Sequence, residues 1–133
     1  MTRQRGSIRG MHYQLPPACE SKMIRCIRGK VFDVMVDLRK CSDTFLQWHA
    51  VELSEDNMRM VYIPEGFAHG FQSLTDDVEL IYHHSGFYSP EHERGVRFDD
   101  PALRIGWPIP PTVISPKDWS YPLIKSTFSG IDL

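Results

Sequence analysis

A chain of 133 residues is the size of one domain and long enough to bury a substantial core. An apolar fraction of 41% and a charged fraction of 24% exclude a disordered chain, and a net charge of −2 with the signs interspersed argues against a general nucleic-acid binder. No window approaches the ~18 consecutive apolar residues of a membrane-spanning helix, and no apolar stretch follows the basic residues 1–6 as it would in a signal peptide.

The predicted strand over residues 7–14 is interrupted at Gly10, where a glycine marks a bulge or a close backbone approach. Strict alternation puts Arg9 and His12 on opposite faces; a bulge at Gly10 brings both to one site. Residues 15–21, with Pro16 and Pro17, form a loop. The alternation over 22–27 places Lys22, Ile24 and Cys26 on one face, and Arg28-Gly29-Lys30 predicts a hairpin turn. A strand over 31–38 follows, with Phe32, Val34, Val36 and Leu38 toward the core and Asp33 and Asp37 opposite. Strands over 44–53 and 58–63 are joined by a polar turn. Pro64-Glu65-Gly66 turns the chain into a strand entered at His69. Residues 78–84 put Val78, Leu80, Tyr82 and His84 on one face; 85–95 read as a long loop. Asp as N-cap predicts a single helical turn over 99–103, and the prolines from 108 onward favour an irregular tail laid over the fold. Short strands separated by turns about every eight to twelve residues, with almost no helical periodicity, predict an all-β barrel or sandwich.

The chemistry centres on Arg9-Gly10-Met11-His12-Tyr13-Gln14, followed by Lys22. A titratable imidazole with a cation nearby suits proton abstraction next to a carbonyl. Each residue also has a plainer reading: His12 as a core histidine, Lys22 as a guard on an edge strand, Tyr82 as a barrel-filling aromatic, His69 as a turn histidine, Glu93 and Lys117 as surface charges. His83 and His84 suggest a metal pair, but adjacent strand residues point to opposite faces, so no metal site is expected. Cys19, Cys26 and Cys41 are odd in number and lack C-x-x-C spacing; they read as reduced thiols of a cytoplasmic protein.

The Arg9–Gln14 block, Ile63-Pro64-Glu65-Gly66-Phe67-Ala68-His69-Gly70-Phe71, and Trp107-Pro108 with Ser115-Pro116-Lys117-Asp118 resemble the dTDP-4-dehydrorhamnose 3,5-epimerase family. The resemblance covers nearly the whole chain, with the blocks in the family's order. It implies a cupin-type jelly roll barrel, a single domain over 1–133, a homodimer, a dTDP-4-keto-6-deoxyhexose substrate, and neither metal nor organic cofactor. Carried over by position, His12 is the base, Asp118 the carboxylate paired with it, and Tyr82 the proton donor. Arg9, Lys22, His69, Glu93 and Lys117 contact the sugar nucleotide, with Lys22 on the enolate oxygen. Members of the family carry a longer segment ahead of the Arg-Gly block, whereas eight residues precede Arg9 here. On that basis residues 7–14 are expected near an open sheet edge, with association through that edge and weakened nucleotide binding. Three functions fit this reading: epimerisation at C3, C5 or both; a 3,4-ketoisomerase using the same base; and a sugar-nucleotide-binding cupin without turnover.

Overall fold

Eight strands and one short helix make up the regular structure of the computed structural model, which describes residues Met1–Leu133. In chain order they are β1 (Ile8–Gln14), β2 (Lys22–Arg28), β3 (Lys30–Asp37), β4 (Trp48–Ser54), β5 (Met60–Ile63), β6 (Phe67–Ser73), β7 (Glu79–His84), β8 (Glu93–Gly95) and α1 (Pro116–Trp119). They form a five-stranded sheet, ordered β4-β3-β6-β1-β8, and a three-stranded sheet, ordered β5-β2-β7. Every pairing between strands is antiparallel. The two sheets face each other as a jelly roll.

The β3 strand explains why its run Val-Phe-Asp-Val-Met-Val is apolar at almost every position. Val31 and Met35 pack between the sheets with Ile24, Ile63 and Phe71. Val34, Val36 and Leu38 point outward, where Leu103 and Ile131 cover them, with Trp107 and Phe128 packed alongside. The tail is therefore the lid of a second core, in line with its proline-rich sequence. The face carrying Asp33 is the barrel interior, not the side opposite the core.

Several expectations need correction. Arg28-Gly29-Lys30 closes no hairpin, because β2 and β3 lie in different sheets; a glycine turn has the same local signature at a hairpin and at a corner between sheets. The predicted helical turn over 99–103 is a series of reverse turns in which Asp100 accepts from the Ala102 N–H at 2.9 Å, the side-chain bond that imitates an N-cap. The helix is instead α1, in the proline-rich tail. The long loop contains β8, too short at three residues to show a period. Finally, β1 is no edge strand: it lies between β6 and β8, and β2 is the centre of its own sheet.

Between Arg9 and His12 the β1–β6 register shifts, as a bulge at Gly10 requires. Gly10 has φ +125°, and a Cβ there would lie 2.6 Å from the Gly70 Cα. No side chain fits in that contact, so the bulge depends on glycine at both positions. It sends Met11 into the outer core and leaves Arg9 and His12 lining one cavity.

Candidate active site

Three cavities of about 440, 150 and 130 Å³ open on the barrel mouth. His12 lines the first two, and Arg9 lines the first and third, so they adjoin as one cleft.

On the β1 wall, His12 Nε2 lies 2.7 Å from Asp118 Oδ1. Asp118 sits in α1, whose single turn is set by Pro116 at its start and by the Ser115 hydroxyl, which accepts from the Asp118 N–H at 3.1 Å. The carboxylate is 3% exposed, and its Oδ2 accepts from the Gly10 N–H at 3.1 Å. Burial works to raise the Asp118 pKa, but the bonds from His12 and Gly10 outweigh it and hold the carboxyl below its ordinary value. An ionised carboxylate only accepts, so Nε2 carries the proton. Nδ1, which makes no bond within the chain, is then the basic nitrogen. Tyr121 meets the imidazole edge-on, with ring centroids 5.9 Å apart. Its ring occupies the space over Gly95, the β8 partner of His12, where a Cβ would fall 2.3 Å from Tyr121 Cζ.

The facing wall comes from the three-stranded sheet. Lys22 and Tyr82 project inward from β2 and β7, on the parity that alternation assigns them. Burial pulls the Lys22 ammonium below its ordinary pKa, against the pull of Glu20, Asp33 and Glu93. Burial pushes the Tyr82 phenol well above its ordinary value; Asp33 adds to this and Arg9 opposes it. The Tyr82 ring meets His69 edge-on at 5.8 Å and stacks on His84 at 5.7 Å, 12° from parallel. His69 is buried, lines none of the three cavities, and holds Asp33 Oδ1 at 2.8 Å.

At the rim, Lys117 donates to Glu93 at 2.6 Å, and the Tyr88 hydroxyl donates to the other Glu93 oxygen. Burial would raise the Glu93 pKa; these two bonds win and lower it. Arg9 makes no ion pair within the chain.

The fold thus brings His12, Asp118, Arg9 and Lys117 to one cavity, His12, Lys22 and Glu93 to the next, and Tyr82 to the third. It adds residues to which the sequence analysis gave no part in this site: Asp33, Glu20, His84, Tyr88 and Tyr121. Asp33 carried a legible signal, a carboxylate in a run apolar on both faces. His84 was seen only as a metal candidate, although its inward parity with Tyr82 was already evident.

A family model described as dTDP-4-dehydrorhamnose 3,5-epimerase matches residues 1–126. A dTDP-4-dehydrorhamnose 3,5-epimerase of Shigella flexneri is 48% identical over 114 residues, 86% of this chain and 63% of that protein. The chain spans about the same share, 63%, of two further curated relatives. The crystal structure of the Bacillus anthracis epimerase with TDP and pyrophosphate bound superposes with a TM-score of 0.90 at 41% identity, covering 92% of this chain and 70% of that one. The Legionella pneumophila epimerase in complex with dTDP-4-keto-L-rhamnose gives 0.89 at 38%, covering 98% and 71%.

Proposed function

The chain belongs to the dTDP-4-dehydrorhamnose 3,5-epimerase family, and from that premise we propose that it epimerises a dTDP-4-keto-6-deoxyhexose at C3, C5 or both. The observation that carries this reading is the 2.7 Å bond from His12 Nε2 to a buried, ionised Asp118, which leaves Nδ1 as a base facing the cleft. In the reaction, His12 Nδ1 takes the proton from the carbon next to the C4 ketone. The C–H electron pair becomes the enolate C=C bond, and charge moves to the C4 oxygen. The Lys22 ammonium stabilises that oxygen. Tyr82, from the facing sheet, returns a proton to the opposite side of the carbon. The phenol is protonated at neutral pH, and burial, which raises its pKa, holds that proton on the oxygen until the strongly basic enolate carbon takes it. The His12 imidazolium and the Tyr82 phenolate are then reset through solvent. Arg9 and Lys117 supply positive charge for the diphosphate, while His69 supports Tyr82 through its ring edge. No step requires a metal or an organic cofactor.

We also propose a homodimer. The outer face of β5-β2-β7 exposes Met23, Ile27, Met60, Tyr62 and Ile81, and Arg25 Nε beside them is buried without a partner. A second copy of this face would cover those side chains, and sedimentation of a Tyr62→Glu variant against the parent would test it. A cytoplasmic setting fits the exposed, unpaired Cys41 thiol.

Incubation with a dTDP-4-keto-6-deoxyglucose in deuterium oxide tests the function. Deuterium is expected at C3, C5 or both, with His12→Ala slowing its entry by about 10²–10⁴-fold. Tyr82→Phe is expected to harm net epimerisation more than deuterium entry, since the enolate still forms. A carbonyl moved to C3 would assign the chain to the ketoisomerases instead. Binding without any deuterium entry would make it a non-catalytic binder.

A further inference from the structure

We propose that Glu20 and His84 form a second carboxylate–imidazole pair, whose task is to position the Lys22 ammonium and aim its N–H groups into the cleft. This rests on the reading of Lys22 as the group that meets the enolate oxygen.

The Glu20 and Lys22 side chains are each 10% exposed. A carboxylate so buried needs partners. Glu20 Oε2 finds one in His84 Nδ1, 3.1 Å away, while Oε1 lies 3.9 Å from Lys22 Nζ. Lys22 and His84 are register partners on β2 and β7, so their side chains stand on the same face and one carboxylate spans both. The two distances differ in length. At 3.1 Å His84 is the nearer partner and sits against Glu20 at close ion-pair distance; at 3.9 Å the Lys22 contact lies beyond hydrogen-bond reach and is ionic only. Glu20 therefore gives the ammonium its counter-charge without occupying its donors, which remain for a ligand oxygen. A carboxylate bonded directly to Lys22 would neutralise the cation and use up a donor. His84 also stacks on Tyr82 at 12° from parallel, so the residue that holds Glu20 braces the proposed proton donor as well.

Burial lowers the Lys22 pKa, and Glu20 is the largest of the influences opposing it. The other groups facing the ammonium are Asp33 from β3, Glu93 from β8, His84 from β7 and, across the cavity, His12 from β1. Glu20→Gln keeps the shape and an acceptor for His84 but removes the charge. The ammonium then loses its proton at lower pH, and activity that needs it fails at lower pH too.

The test is an NMR titration of the full chain labelled at the lysine ε-carbon, with Lys22 assigned from Lys22→Arg. Its midpoint should fall by about one pH unit in Glu20→Gln. His84→Phe, which keeps the stack on Tyr82, releases Glu20 to bond Lys22 directly; the midpoint should rise while deuterium exchange slows. The alkaline limb of the exchange rate in Glu20→Gln should move with the Lys22 midpoint, with kcat affected more than KM. An unmoved midpoint in either variant overturns the proposal. A midpoint that moves as expected while the exchange profile stays in place supports the positioning of Lys22 and removes Lys22 from the chemistry, so the two readings fail separately.

Discussion

At the scale of single residues, the cleft depends on which nitrogen of His12 holds a proton. Asp118 decides this by accepting at Nε2 and being acceptor-only when ionised. Asp118→Asn presents an amide that can donate to that nitrogen, and the basic lone pair then faces the wrong way. Deuterium exchange is expected to fall by up to about 10⁴-fold, the order seen when a histidine loses the carboxylate that orients it. The same change has a pH-dependent effect on stability. The folded pKa of Asp118 is depressed, so its stabilisation is fully present above the ordinary carboxyl value of 3.8 and is lost as pH falls through the folded value. Asp118→Asn should therefore destabilise most at neutral pH, and the gap to the parent in urea midpoints should narrow below about pH 3.5. A gap independent of pH would contradict an ionised, hydrogen-bonded Asp118.

At the scale of elements, the decisive piece is the smallest. The four-residue α1 is too short to be stable by itself and is held by its cap and by Asp118 reaching back to β1. Ser115→Ala removes the cap, with an expected cost of about 1 kcal/mol. Because Asp118 sits in that single turn, exchange activity should fall more steeply than stability: a shift of about 1 Å in a site can cost 10²-fold in rate. Parallel measurement of urea midpoint and exchange rate would check it, and equal proportional losses would mean that the turn does not set the position of Asp118. The strands, by contrast, are supported by long ladders: β3 pairs at seven positions with β4, and at seven with β6. They need no single cap.

At the scale of the whole molecule, the tail and the five-stranded sheet share one core while the two sheets share another, and β3 contributes to both. We therefore expect the chain to unfold as a single domain. Phe128→Ala, in the tail, should lower stability by about 2–3 kcal/mol, below the usual range for a fully buried phenylalanine because Phe128 is only half-buried. Fluorescence and circular dichroism should still report one coincident transition in urea. Two separated transitions would mean that the tail and barrel are independent units. Backbone bonds argue otherwise, since Ile131 N–H donates to Leu38 at 2.7 Å and Ile131 accepts from Lys40 at 2.9 Å.

Alternation by itself determined that this chain is all-β, that Lys22, Ile24 and Cys26 share a face, and that Tyr82 and His84 share another, because a strand's period of two is a local property. The glycine at position 10 likewise announced the bulge that unites Arg9 with His12. The pairing of His12 with Asp118 came from family likeness and not from any local rule, since residues so far apart in sequence carry no mutual pattern. Only the tertiary structure decided which face of β3 is the barrel interior. Both faces of that strand are apolar, and what covers each is set by elements elsewhere: the facing sheet on one side and the tail on the other. For the same reason Asp33 becomes the partner of His69 and Glu20 the bridge between Lys22 and His84. Local sequence says which way a side chain points; the packing of distant elements says what it meets there.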